Sequence, residues 1–124
     1  MRDAILSIQS DVAYGHVGHS VAQFCLQRLG YPIWAIDCVT LSTHPGHRGC
    51  FRRPATPEDV RGMVGGLVAH GLLARAPALL SGYLGSAEIG AVVLETRARL
   101  QAFDAAAPYC CDPVLGDRDR GLYV

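Results

Sequence analysis

Residues Ala78–Asp112 read ALLSGYLGSAEIGAVVLETRARLQAFDAAAPYCCD. The run opens on Ala78–Ser81, a short apolar stretch with the look of a buried strand. GYLGS follows as a loop, and its Ser86 carries a hydroxyl suited to cap a helix. Ile89, Val92, Val93, Thr96, Leu100 and Phe103 then recur at helical spacing and draw one apolar stripe. Pro108–Cys111 is a further buried strand that leads into Asp112. A strand, a one-sided helix and a second strand buried on both faces form the unit of a parallel sheet.

The alternation extends toward the N-terminus. Ala4–Gln9 (AILSIQ) reads as a buried strand, and Asp11–Val17 as a turn-rich loop. Gly18–Leu29 is predicted helical, with Val17, Val21, Phe24, Cys25 and Leu29 on its apolar face and Gly30 as its stop. Pro32–Asp37 is the second strand, which Val39–Leu41 extends or follows, and Ser42–Pro54 is loop. Thr56 then offers a cap, Pro57 suits the first helical position, and Glu58 and Asp59 suit the positive end of the dipole. Val60, Met63, Val64, Leu67 and Val68 repeat at helical spacing up to Gly71. Gly65 and Gly66 weaken this helix by about 1 kcal/mol each, and we read them as close-packing positions.

This order predicts an α/β domain: a mostly parallel sheet, covered on both faces and joined by right-handed crossovers. Ligands of such sheets sit beyond the carboxyl ends of the strands. Here those ends are Gln9–Ser10, Asp37 onward, Ser81–Tyr83 and Asp112.

Composition narrows the class. The 124 residues are 50% hydrophobic and 18% charged, enough apolar content for one core. Eleven basic residues balance eleven acidic ones, and the short run Arg48, Arg52, Arg53 makes no basic stripe, so no nucleic-acid partner is expected. Five cysteines, with Cys110 and Cys111 adjacent and Cys25 and Cys38 inside apolar segments, read as small buried hydrophobes in a reducing compartment. MRDAILSIQS lacks the length and cleavage pattern of a signal peptide, and no apolar run approaches a membrane span. A cytoplasmic protein with no membrane partner is the expectation.

Residue by residue, the candidate chemistry is modest. Asp112 at a strand end and Asp117 beyond Pro113 and Gly116 could share a hard cation such as magnesium, or simply shape a turn. Ser10 either donates to a ligand or closes a turn, and Tyr83 either stacks on a flat ligand or faces solvent. His44, His47 and Cys50 have ligand-type spacing but lack the second pair of a structural zinc site. His16 and His19 read as loop and helix-start residues. Neither GxGxxG nor the Walker phosphate loop is present, nor a nucleophile elbow.

Taken together, ILSIQS at Ile5–Ser10, YGHVG at Tyr14–Gly18, LQRLG at Leu26–Gly30, LLSGYLGSAE at Leu79–Glu88 and YCCDPVLGD at Tyr109–Asp117 resemble the pyridoxal kinases, of the ribokinase-like fold. The resemblance covers almost the entire chain. It implies a three-layer ribokinase-like α/β fold, here incomplete, with residues 1–124 the N-terminal part of a single kinase domain. It implies transfer of the γ-phosphoryl of ATP to the 5′-hydroxyl of pyridoxal, pyridoxine or pyridoxamine, in vitamin B6 salvage. A magnesium requirement, usually with a monovalent cation, and a homodimer are implied as well. Carried over, Ser10 contacts the polar edge of the pyridine ring, while Val17, Val39 and Tyr83 line or flank it. Asp112 faces the ATP phosphates and their cation, and Asp117 helps to hold magnesium.

There are departures. Where the family reads SNHTGY, this chain reads STHPGH at Ser42–His47. His44 and Gly46 match, but Pro45 replaces a threonine that hydrogen-bonds substrate, and proline brings neither hydroxyl nor amide proton. Leu41 replaces an aromatic residue and His19 an asparagine, which bears on the choice of vitamer. The family's adenine pocket, glycine-rich anion hole and catalytic base belong to its C-terminal half, so no catalytic base is expected among these residues and none of them alone completes phosphoryl transfer. A non-catalytic B6-binding or dimerisation module is the alternative. The sequence closes on Leu122-Tyr123-Val124, an apolar end expected to leave a sheet edge unpaired.

Overall fold

The computed structural model describes residues 3–123; Met1, Arg2 and Val124, the last of which closes the apolar end noted above, lie outside the described residues. β1 (Ile5–Val12) leads to α1 (His19–Arg28), β2 (Ile33–Leu41), β3 (Arg52–Pro54) and α2 (Pro57–Ala69). A 3-10 turn at Leu73–Arg75 precedes β4 (Leu79–Ser81), α3 (Ala87–Phe103) and β5 (Tyr109–Cys111), and a small hairpin of β6 (Gly116–Asp117) and β7 (Gly121–Leu122) follows. The main sheet has the order β3-β2-β1-β4-β5. All its neighbours are parallel except β3, which pairs antiparallel with β2.

Three layers follow from the pleat of β1. Successive side chains of a strand point to opposite faces. Ser7 meets His19 of α1 on one face. Leu6 and Ile8, both 0% exposed, therefore look to the other, where Val60 and Val64 of α2 and Ile89, Val92, Val93 and Leu100 of α3 complete the core.

The long helices begin where their sequence says. Thr56 accepts from the Asp59 amide and Asp59 returns a bond to the Thr56 amide, a full capping box. Ser86 accepts from the Ile89 amide. Five of the six α3 stripe residues are buried; Phe103, at the last turn, is exposed.

Several expectations need correction. β1 runs on to Val12, so Ser10 and Asp11 lie within the strand rather than in a loop. β2 is continuous through Leu41, with a bulge in the register between Gln9 and Ser10. The Ser42–Pro54 stretch holds β3, a strand too short to show a periodicity of its own. The apolar face assigned to α1 points outward: Val21, Phe24 and Leu29 are exposed, and its one fully buried residue is His19. Gly65 and Gly66 have open space where a Cβ would stand, so they are not close-packing positions. Cys25, Cys110 and Cys111 are exposed, leaving Cys38 as the one fully buried cysteine. Leu122 pairs within the small hairpin instead of ending on the main sheet.

Candidate functional site

From β1 the chain crosses to β2 on one side and later returns to β4 on the other. The carboxyl ends of β1 and β4 thus flank a topological switch point, where open α/β sheets leave a crevice. A cavity of about 260 Å³ opens there. Ser10 comes from β1, Leu41 from β2, Tyr83 from the loop after β4 and Asp112 from the end of β5. Val17, His44 and Pro45 complete the expected part of the wall. Gln9, at the expected strand end, lines it as well; His16, Gly18, Val21, Val114 and Tyr123 also line it and are not among the candidate site residues of the sequence.

Backbone contacts hold the wall. The Ser10 amide donates to the Tyr83 carbonyl at 3.0 Å, and the Cys38 thiol donates to that same oxygen at 3.2 Å. Burial pushes the Cys38 thiol up to about 12, so it serves as a donor and not as a nucleophile. The Tyr83 hydroxyl accepts from Arg52 at 3.0 Å, and the guanidinium carbon lies 5.7 Å from the ring centre. Tyr123 meets Tyr83 edge-on at 6.3 Å. These contacts with Arg52 and Tyr123 hold the Tyr83 ring in place in the cavity wall, where an aromatic side chain can pack on a flat ligand.

On the other wall, Gly18 caps α1 with φ +60°, and a Cβ there would collide with the Ser10 carbonyl. The Gly46 amide donates to His44 Nδ1 at 2.9 Å, which turns the His44–Pro45–Gly46 corner toward the site. Gly46 and Val39 stand outside the wall. Val39 is buried beneath the Tyr83 loop, where a Cβ at Gly85 would come within 2.6 Å of its Cγ2.

The carboxylates divide. Asp112 is exposed at the rim; its amide donates to the Ser81 carbonyl at 2.9 Å, and its carboxylate has no partner among the described residues. Asp117 sits in the hairpin, accepts from the Tyr123 hydroxyl at 2.5 Å, and does not line the cavity. The bond to Asp117 raises the Tyr123 phenol above its ordinary value. Among the described residues no three potential metal-binding side chains gather, and His44, His47 and Cys50 make no site together. Magnesium does not require three: it binds through one or two carboxylates and completes its shell with water and phosphate oxygens. An unpartnered carboxylate at the mouth of a cavity fits that chemistry.

The least expected feature is beneath the wall. His19 is 2% exposed, with Nδ1 2.5 Å from Asp37 Oδ1 and Nε2 2.9 Å from Ser7 Oγ. Gln9 Nε2 lies 3.0 Å from the same Ser7 oxygen. A histidine at a helix start gives no sign in sequence that it turns inward; the polar Ser7 and Gln9 alternating with Leu6 and Ile8 were the available signal.

No protein-family model matches the chain. Among curated proteins, the pyridoxal kinase PdxY of Granulibacter bethesdensis is 44% identical over 120 residues, covering 97% of this chain and 42% of that protein. PdxY of Rubrobacter xylanophilus is 46% identical over 121 residues, covering 97% and 41%. Among solved structures, pyridoxal kinase from Leishmania donovani in complex with ADP and pyridoxamine superposes with TM-score 0.90 at 34% identity, covering 97% of this chain and 43% of that one. The same enzyme with ADP and ginkgotoxin gives 0.91 at 34%, covering 98% and 42%. The chain thus spans about two-fifths of the length of the curated relatives it matches, and its fold is the ribokinase-like α/β fold.

Proposed function

Because the chain resembles the pyridoxal kinases in sequence and fold along nearly its whole length, we propose that it forms the vitamin-binding part of such a kinase, the N-terminal part of a single domain. The cavity receives pyridoxal, pyridoxine or pyridoxamine. Ser10 meets the polar edge of the ring, Tyr83 and Val17 flank it, and Leu41, His44 and Pro45 shape its far side. Gly46 acts through the turn it permits, and Val39 by supporting the Tyr83 loop from below.

Asp112 faces the phosphates of ATP, the co-substrate. Its carboxylate, with Asp117 nearby in sequence, is the group that would hold magnesium, which when bound supplies positive charge to the transferring phosphoryl group. No residue of this chain takes the role of base on the attacking hydroxyl. We therefore expect these 124 residues to bind the vitamin without transferring phosphate on their own. We also read the protein as a homodimer, for which the exposed Val21, Phe24 and Leu29 of α1 supply an apolar face. No helix among the described residues is long and apolar enough to cross a membrane. Unpaired cysteines, three of them exposed, suit a reducing compartment, and we place the protein in the cytoplasm.

One observation supports this reading above the others: Ser10, Tyr83 and Asp112, from three different strand ends, share one cavity. The test is calorimetry with pyridoxal on the isolated chain. Micromolar binding is expected; no heat at millimolar vitamin would end the B6 reading. Robust ATP-dependent phosphorylation of pyridoxal by the chain alone would overturn the division of labour.

A further inference from the structure

The buried polar groups beside α1 play no part in the reading above, yet they end at the cavity. We propose that Asp37, His19 and Ser7 form a positioning chain that presents the Gln9 side-chain carbonyl to the cavity as a fixed hydrogen-bond acceptor. The site would then favour a ligand that turns an N–H or O–H donor toward it. Only the identity of that ligand rests on the B6 reading.

The direction of each hydrogen bond follows from donor and acceptor capacity. A carboxylate only accepts, so the 2.5 Å contact with Asp37 Oδ1 places a proton on His19 Nδ1. If Nε2 is bare, it accepts the Ser7 hydroxyl proton at 2.9 Å. The Ser7 oxygen is then free to accept from Gln9 Nε2 at 3.0 Å. Every group in this order is satisfied. If Nε2 carried a proton, the Ser7 oxygen would face two donors while its own hydroxyl proton had no acceptor. Ser7 is 0% exposed, so water cannot provide one. With the Gln9 nitrogen placed toward Ser7, the neutral imidazole with its proton on Nδ1 is the consistent form; the reversed amide would need the proton on Nε2 instead, so the His19 tautomer reports which end of the amide faces the cavity.

With its nitrogen bonded inward, Gln9 leaves Oε1. That oxygen has no partner among the described residues. No fully buried side-chain nitrogen or oxygen among them lacks one, so Oε1 is open. Gln9 is 6% exposed and lines the cavity, which is therefore where the oxygen opens. The register shifts opposite this pair, with Gln9 facing Asp37, Ser10 facing Val39 and Cys38 of β2 the extra residue, and both Gln9 and Ser10 line the cavity. Gly82 leaves room for the oxygen: a Cβ there would stand 2.5 Å from Oε1.

The test combines imidazole nitrogen NMR with pyridoxine calorimetry on the full chain. At mildly alkaline pH the His19 spectrum is expected to show a protonated Nδ1 and a bare Nε2; the opposite tautomer overturns the chain of bonds. Gln9→Leu removes the acceptor and is expected to weaken pyridoxine binding by between about three- and tenfold. Asp37→Ala, at a half-exposed position, releases the tautomer and is expected to weaken binding by a similar factor. Asp37→Asn keeps an acceptor oxygen and should restore most of the affinity, which a merely structural role would not require. Gly82→Ala should weaken binding while leaving the His19 spectrum unchanged. If Gln9→Leu fails to fold, Asp37→Ala decides. Pyridoxine binding by the natural chain that Gln9→Leu and Asp37→Ala leave unaltered would defeat the inference and spare the B6 reading. Absence of vitamer binding by the natural chain would defeat both the B6 reading and the selective role of Gln9.

Discussion

At the scale of single residues, Gly18 does work that no other residue can. Its φ of +60° with ψ of −141° belongs to a region that only glycine enters without strain, and a Cβ would press on the Ser10 carbonyl. Gly18→Ala is expected to cost about 2 kcal/mol, read by urea unfolding, and to weaken the proposed vitamin binding because Ser10 must move. The cysteines offer a second check. Burial holds Cys38 up at about 12, while Cys25, Cys110 and Cys111 are exposed. A thiol reagent at neutral pH should modify those three quickly and Cys38 only after unfolding. The sequence was misleading here for a definite reason. Cys25 lies on an apolar helical stripe, and Cys110 and Cys111 in an apolar strand, but that strand is at the edge of the sheet. Apolar neighbours along the chain do not reveal which side of an element meets another layer.

At the scale of elements, local signals were reliable where the chain itself supplies both partners. The Thr56–Asp59 box is complete within one turn, so it could be read from four letters. Thr56→Ala is expected to cost about 1 kcal/mol, measured by thermal unfolding. The same box makes stability depend on pH. The backbone and hydroxyl bonds from Thr56 hold Asp59 below the usual carboxylate range, and the bond from Arg61 does the same to Glu95. A group whose value is depressed on folding contributes above its unfolded value and loses that contribution as pH falls through the folded one. Stability should therefore be level near neutrality and decline as pH drops through and below the carboxylate range. Asp59→Asn should flatten part of that decline in acid melts. By contrast, β3, β6 and β7 were invisible, because strands of two or three residues exist only by virtue of their partners. α1 was found, but its buried face was not, since one histidine bonded to Asp37 and Ser7 decides how the helix sits.

At the scale of the whole molecule, strand order mattered more than any motif. The expectation that Ser10, Tyr83 and Asp112 share a crevice needed only the rule that ligands sit beyond strand ends, and the cavity contains all three. Tyr123 and Val114 could not have been anticipated, because the hairpin that brings them has no periodic signature. The outward stripe of α1 raises the last question at this scale. Phe24 is 65% exposed and Leu29 69%, with Val21 beside them and the sheet-facing side of the helix occupied by His19. An apolar face that no layer of this chain covers is favourable only when another surface removes it from water. If the protein is a homodimer through this face, sedimentation equilibrium should show association that rises with concentration. Phe24→Glu should then raise the dissociation constant by about tenfold or more. The melting temperature measured at low concentration should hardly change, because Phe24 is already in solvent within one copy. A natural chain that stays monomeric at every concentration, or a Phe24→Glu variant that associates as strongly as the natural chain, would rule this face out as the dimer contact.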